Sequence, residues 1–312
     1  MSRPRVVALG GGHGLAASLQ ALRHTTDNIT AVVTVADDGG SSGRLRREYA
    51  VLPPGDLRMA LAALCEDTAQ GRQWRDVLQH RFGTGGPLEG HALGNLMILT
   101  LWDLFDTPVQ GLEAAALLVG ARGRVLPMSV QPLVIEADVL GADPVHPDAV
   151  MTVRGQVSVA KTKGDVLSVR LDPSAPKACP EAVAAVRDAE WVILGPGSWF
   201  TSIMPHVLVP ELRDALSETL ARRCLTLNLS LSTAETNGFT AAQHLQSLAA
   251  HAPDLQIDVV LADPQAVDDV SDLRVAARRL GADVVFTRLA SADRADVHDT
   301  LRLAAAYKDL FD

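Results

Sequence analysis

Thr34-Val35-Ala36-Asp37-Asp38-Gly39-Gly40-Ser41-Ser42-Gly43-Arg44-Leu45 is where this sequence turns from an apolar strand into a polar corner. The stretch closes a β-branched run, Ile29 to Val35, of the kind buried in a sheet. Two carboxylates, three glycines, two hydroxyls and one guanidinium then follow within eight residues. Glycines let the backbone take positive φ and bring its N–H groups close to a ligand. Ser41, Ser42 and Arg44 add donors for an anion, while Asp37 and Asp38 suit sugar hydroxyls or a hard cation such as Mg2+. A solvated surface turn is the plain alternative. The strand running straight into the corner, and a similar corner upstream, favour a binding role.

The upstream corner has the same construction. Arg5 to Leu9 is a short apolar strand, Gly10-Gly11-Gly12-His13-Gly14 follows, and Leu15, Leu19 and Leu22 then recur at helical spacing. Strand, glycine loop and helix open a nucleotide-binding βαβ unit, with phosphate expected at the helix N-terminus. The G-x-G-x-x-G fingerprint is incomplete, since Leu15 takes its last glycine position. Asp37 ends the next strand roughly 20 residues on, where such folds place an acid on a ribose. His13 can donate to a phosphate or simply face solvent.

Further along, Leu52-Pro53-Pro54-Gly55-Asp56 stops one element, and Asp56 reads as the cap of a helix from Leu57 to Leu64. Arg58 falls in that helix's first turn, where the dipole disfavours a cation unless an anion is near, so it is a candidate ligand contact. After the loop Gly83-Thr84-Gly85-Gly86-Pro87, His91 and Asn95 stand four apart. They face either a ligand or each other. The segment Leu93 to Phe105 is apolar on nearly every side, the pattern of a helix buried within the protein.

Residues of about 123–172 read as strands without an intervening helix, a small antiparallel β insertion on an otherwise alternating α/β chain. Alternation resumes with Trp191-Val192-Ile193-Leu194, which feeds Gly195-Pro196-Gly197-Ser198, and with the strand Cys224 to Ser230, which contains Asn228. Loops leaving strand carboxyl ends share one edge of an open parallel sheet. The corners at 10–14, 37–44, 195–202 and 228–238 should therefore meet in one crevice. The fold expected is a single Rossmann-like three-layer αβα domain over 1–312, with a mostly parallel sheet.

Whole-chain properties narrow the function classes. The 312 residues carry a formal charge of −9, with 47% hydrophobic and 21% charged residues. That balance disfavours a nucleic-acid partner or an anionic membrane surface. Cys65, Cys179 and Cys224 are far apart and outside any CxxC, so neither a disulfide framework nor a zinc site is indicated. The start, Met1-Ser2-Arg3-Pro4-Arg5, leads to an apolar run too short for a signal sequence, and no segment suits membrane insertion. The expected location is cytoplasmic.

Taken together, Gly10-Gly11-Gly12-x-Gly14, Val35 to Leu45, Leu52 to Asp56, Gly90-His91-x-Leu93-Gly94-Asn95 and Gly195 to Ser198 resemble the bacterial gluconeogenesis factor family. That family belongs to the CofD-like superfamily, with 2-phospho-L-lactate transferase. The resemblance covers nearly the whole chain. It implies a Rossmann-like fold, binding of UDP-sugars such as UDP-N-acetylglucosamine, and a regulatory role in cell shape and wall-precursor metabolism on gluconeogenic carbon sources. It also leaves room for a protein partner in cell-wall synthesis and for a homo-oligomer. His13, Ala92, Asn237, Phe239 and Val297 depart from the residues usual in the family, which bears on the sugar and not on the fold.

Two functions are therefore expected to compete. In a ligand-binding regulator, with no cofactor required, Gly11, Gly12, His13 and Gly14 approach the nucleotide, and Asp37 the ribose. Ser41, Ser42 and Arg44 take the diphosphate, Gly197 and Ser198 form a second anion cradle, and Asn95 and Asn228 read sugar hydroxyls. In a transferase of phosphorus-containing groups, Asp37 and Asp38 hold Mg2+ across a diphosphate and His91 moves a proton. The scarcity of acid–base groups favours the regulator. A nicotinamide-dependent oxidoreductase fits least, because the first glycine loop misses its fingerprint.

Overall fold

The computed structural model describes residues 3–83 and 85–312. Met1, Ser2 and Thr84, the last in the Gly83–Pro87 loop, lie outside the described residues. The chain opens with β1 (Val6–Gly10), α1 (Gly12–Leu22) and β2 (Ile29–Val33). Five helices follow: α2 (Gly40–Tyr49), α3 (Pro54–Leu64), α4 (Ala69–Gln79), α5 (Leu93–Leu104) and α6 (Pro108–Val119). Next come β3 (Arg124–Pro127), β4 (Val134–Leu140), β5 (Val150–Arg154), the short α7 (Gln156–Ala160), β6 (Asp165–Asp172) and α8 (Pro180–Asp188). β7 (Trp191–Leu194) leads through a π-helical turn, Trp199–Ile203, into α9 (Met204–Leu208) and α10 (Pro210–Glu218). The remainder is β8 (Arg222–Thr226), α11 (Ala241–His251), β9 (Val259–Ala262), α12 (Val270–Arg279), β10 (Asp283–Phe286) and α13 (Thr300–Phe311).

Seven strands form one sheet in the order β10-β9-β8-β7-β1-β2-β3, and every neighbouring pair is parallel. The order runs outward in both directions from β1, so the topological switch point lies between β1 and β7. Strands covered by helices on both faces need apolar residues throughout. β1, β7 and β9 meet that demand, being buried at every position. A separate antiparallel sheet, β5-β4-β6, forms the insertion.

Three sequence expectations change. Val125-Leu126-Pro127 belong to β3, a parallel edge strand beside β2, so the antiparallel sheet starts only at Val134. Five helices separate β3 from β2, and nothing local in four residues marks so distant a partner. The polar corner after Asp38 is not an extended loop: Gly40 to Tyr49 coil into α2, which puts Ser41 and Ser42 in a buried first turn. α5 is only partly enclosed, with Gly94, Asn95 and Ile98 buried, while Leu104 is 70% exposed and Phe105 42%. Apolar residues all around a helix measure composition, and only the neighbours decide which face they cover.

The C-terminal helix braces the switch point from behind. Buried Tyr307 receives a hydrogen bond from Thr226 (3.1 Å) and donates to Ser18 (2.8 Å), which donates to the Gly195 carbonyl at 2.8 Å. Tyr307→Phe breaks this chain and is expected to cost about 1–2 kcal/mol in urea unfolding, without changing the fold's circular dichroism.

Candidate functional site

Gly10 ends β1, and α1 begins at Gly12, so the glycine loop is itself the first turn of the helix. A Cβ at Gly14 would fall inside the Pro196 carbonyl group, which places the loops after β1 and β7 in direct backbone contact. His13, Gly14, Gly197, Ser198 and Asn228 line one cavity of about 280 Å3, shared with Pro196, Thr233, Asp296 and His298. The expected convergence of the 10–14, 195–202 and 228–238 corners is thus present at the switch point.

Asn228 does a different job from the one expected of it. Its Oδ1 accepts from the Gly197 N–H at 2.8 Å, and its Nδ2 donates to the Gly197 carbonyl at 2.7 Å. Both ends of the amide bond Gly197, so Asn228 shapes the cradle while it lines the cavity. It lies just past the end of β8, not within a strand. Asn228→Ala strips both partners from Gly197 and is expected to destabilise by about 2 kcal/mol, measured by urea denaturation.

Next along the edge stand Gly11 and Gly12 with two carboxylates. A Cβ at Gly11 would lie 2.6 Å from Asp56 Oδ2, and one at Gly55 would lie 3.3 Å from Asp37 Oδ2. Asp56 is not the cap of α3, since that helix begins at Pro54; it sits inside the first turn and accepts from the Gly12 backbone. Burial, then the nearby Asp37 charge, push Asp56 up to about 7. Burial likewise raises Asp37, against the Gly39 N–H (2.9 Å from Oδ1) and Ser42. Sequence reading passed over Asp56 because a carboxylate at a helix start already has a sufficient local explanation.

Asp38 stays close enough to Asp37 for its charge to help raise that carboxyl. Its Oδ1 accepts from the Val157 N–H at 3.0 Å, at the start of α7, and so ties the β insertion to the site. The Asp37 charge also helps to raise Asp56, which couples that carboxyl to the same corner. Among the described residues, no group of three or more His, Cys, Asp or Glu gathers for a metal. A divalent ion there would need oxygens from a bound phosphate to complete its shell.

Farther along lie Ser41, Ser42, Arg44, Arg58, His91 and Asn95. His91 and Asn95 meet at Ser41, with Nδ1 3.0 Å from Oγ and Nδ2 donating to Oγ at 2.9 Å. Asn95 Oδ1 accepts from Arg58 Nε at 2.9 Å, so this buried amide links α5 to both α2 and α3. Ser42 Oγ accepts from the Gly55 N–H at 3.0 Å. The hydroxyls expected to hold a diphosphate therefore join α2 to α3 and α5. Burial, helped by Arg44 and opposed by Glu48, pushes the His91 imidazole below its ordinary value. Arg44 Nη2 donates to the Glu89 carbonyl at 2.6 Å.

Sequence reasoning gave no site role to His298, which lines the switch-point cavity and is pushed down to about 4 by burial. It gave none to Glu235 either, which accepts from the Phe200 N–H at 3.3 Å and is pushed up to about 7 by burial. Neither is adjacent in sequence to a residue it joins in space, so no local signal pointed to them.

These features define a doubly wound α/β protein with its candidate site at the switch point of the sheet. The signature of the family described as "2-phospho-L-lactate transferase CofD" matches residues 6–290. A Mycobacterium leprae (strain TN) relative, provisionally named gluconeogenesis factor, is 50% identical over 308 residues, covering 98% of this chain and 85% of its own. The "Gluconeogenesis factor" of Listeria monocytogenes serovar 1/2a is 33% identical over 302 residues, covering 94% and 90%. A crystal structure of a UPF0052-family protein from Bacillus halodurans superposes with a TM-score of 0.86 at 30% identity, covering 98% of this chain and 99% of that one. The chain belongs to the bacterial gluconeogenesis factor family, within the wider CofD group.

Proposed function

We propose that this chain is a regulator that binds a nucleotide-sugar of the UDP-N-acetylglucosamine type in the switch-point crevice, in the cytoplasm. On this reading it acts on cell shape and wall-precursor metabolism during growth on gluconeogenic carbon. The observation that carries the proposal is the contact of the Gly12–Gly14 turn with Pro196–Gly197, the cradle held by Asn228. A diphosphate there would meet the N-terminus of α1, whose first turn has no acidic residue. Ser198 and His13, both exposed on the crevice wall, would donate to its oxygens. Isothermal calorimetry with UDP-N-acetylglucosamine, UDP-glucose and UDP tests this. Saturable heat is the expected result, and no heat with any of them in a folded sample refutes it.

One observation favours a second reading, a transferase of a phosphorus-containing group. A carboxyl pushed up to about 7, as Asp56 is, can take or give a proton near neutrality. Mg2+ held by Asp37 and a ligand diphosphate would neutralise charge there and leave Asp56 to move the proton. Product formation from a nucleotide-activated donor, lost in Asp56→Asn, would establish it. The regulator stands first because the switch-point cavity itself offers donors and few proton-transfer groups.

A further inference from the structure

Glu235 is 4% exposed, and its Oε2 has no hydrogen-bond partner. Two more buried atoms without partners, Trp199 Nε1 and His244 Nε2, belong to the same junction. Trp199 and His244 pack edge to face at 4.9 Å, and Phe239 stands edge-on to His244 (5.5 Å) and to Phe200 (5.8 Å). Glu235 Oε1 accepts from the Phe200 N–H at 3.3 Å, and the Thr201 hydroxyl and Trp199 N–H act on the same carboxyl. The π-helical turn that begins at Trp199 has no side-chain cap from Ser198, so its leading N–H groups depend on this distant carboxyl.

The loop that carries Glu235 is otherwise tied to itself. Thr236 Oγ1 accepts from the Thr233 N–H (3.2 Å) and donates to the Leu231 carbonyl (2.8 Å). Ser232 Oγ accepts from the Gly238 N–H (3.0 Å), and the Phe239 N–H donates to the Thr236 carbonyl (3.0 Å). Both flanks are fixed, since Asn228 bonds Gly197 and Thr240 caps α11. Among the described residues, every hydrogen bond from 230–239 to the rest of the chain runs through Glu235 to the 199–201 turn. Ser230 and Thr233 line the switch-point cavity with Gly197 and Ser198, so Glu235 joins one wall of the crevice to the turn that leaves the other. Such a loop has two states. Buried Leu231 and the Phe239 ring hold it down, while three unpartnered polar atoms favour lifting, because water then reaches them.

We propose that residues 230–239 are a hinged lid on the switch-point crevice, and that Glu235 is the positioning residue that latches this lid to the Gly197–Ser198 cradle. The lid rests on the nucleotide-sugar reading only for the identity of what it covers.

Protons act on the latch. Burial pushes Glu235 up from 4.5 to about 7 in the closed loop, opposed only by its hydrogen bonds. The titratable groups packed on the same turn are His244 and His206, and burial pushes both below their ordinary value. Lifting the loop hydrates the carboxyl and returns it toward 4.5. The closed state therefore keeps a proton that the open state releases. Its advantage is complete below the lower value, falls as pH rises between the two, and levels off above the upper one. The open fraction should rise about tenfold from pH 6 to pH 8.

Hydrogen exchange of the full chain, read by mass spectrometry and corrected for the intrinsic pH dependence, tests this on peptides covering 199–203 and 230–239. In wild type the two segments should exchange together and speed up about tenfold between pH 6 and pH 8. Glu235→Gln keeps the acceptor and cannot ionise, so the pH step should vanish; Asp56 titrates alike in both proteins and cancels. Glu235→Ala should raise exchange in these two segments at every pH and leave the rest of the chain unchanged. Independent exchange of the two segments, a pH step that survives in Glu235→Gln, or loosening of the whole chain in Glu235→Ala overturns the lid. UDP-N-acetylglucosamine is added separately and should protect both segments. Failure to protect, with the Glu235-dependent pH step intact, counts against the nucleotide-sugar reading and leaves the lid standing.

Discussion

Gly14→Ala is expected to abolish nucleotide-sugar binding and to lower stability by about 2–3 kcal/mol. The added methyl would occupy the space of the Pro196 carbonyl, so the backbone of one loop must retreat. Neither side yields easily. Gly14 lies in the first turn of α1, and Gly197 is clamped at both its N–H and its carbonyl by Asn228. Separating the two loops also opens the cradle in which the diphosphate is placed. Calorimetry and urea denaturation on the same sample check both effects. Unchanged binding in a folded Gly14→Ala variant would show that the ligand sits elsewhere.

The second large effect depends on pH. Asp56 titrates at 3.8 in an unfolded reference and at about 7 in the folded chain, chiefly because of burial. The folded state therefore keeps a proton that the unfolded state releases across that interval. Stability from this group is fully present below the unfolded value, falls as pH rises through the window, and levels off above the folded value. The full cost at high pH is about 4 kcal/mol, trimmed because the residue is only partly buried. Asn can still accept from the Gly12 N–H but carries no charge. Asp56→Asn should therefore gain about 2 kcal/mol more over wild type at pH 8 than at pH 5. Denaturant titrations at the two pH values measure this, and a difference that ignores pH would contradict it. Glu235, raised toward neutrality for the same reason, adds the same slope to both proteins and cancels in the comparison.

Much of the site was legible because its backbone has to be glycine. Gly11 and Gly14 face atoms that leave no room for a Cβ, and such positions announce themselves in any strand-to-helix corner. Polar side chains were harder to interpret. Asn95, His91, Ser41 and Ser42 looked like ligand contacts, and the structure spends them on one another and on Gly55. A hydroxyl or amide in a sequence offers the same donors whether a ligand or another helix receives them. Arg46, Arg58 and Trp199 are among the residues that keep a buried donor without a partner.

The alternation of apolar runs with glycine corners determined the parallel α/β architecture unaided, since strand burial and helix periodicity are local properties of the chain. The tertiary structure alone decided that β3 joins the main sheet, that Asp38 bonds the insertion, that Asp56 comes near Asp37, and that α5 keeps an open face. These outcomes depend on which distant segment arrives to take a hydrogen bond, a charge or an apolar surface. No residue carries a mark of its partner across 50 or 100 positions.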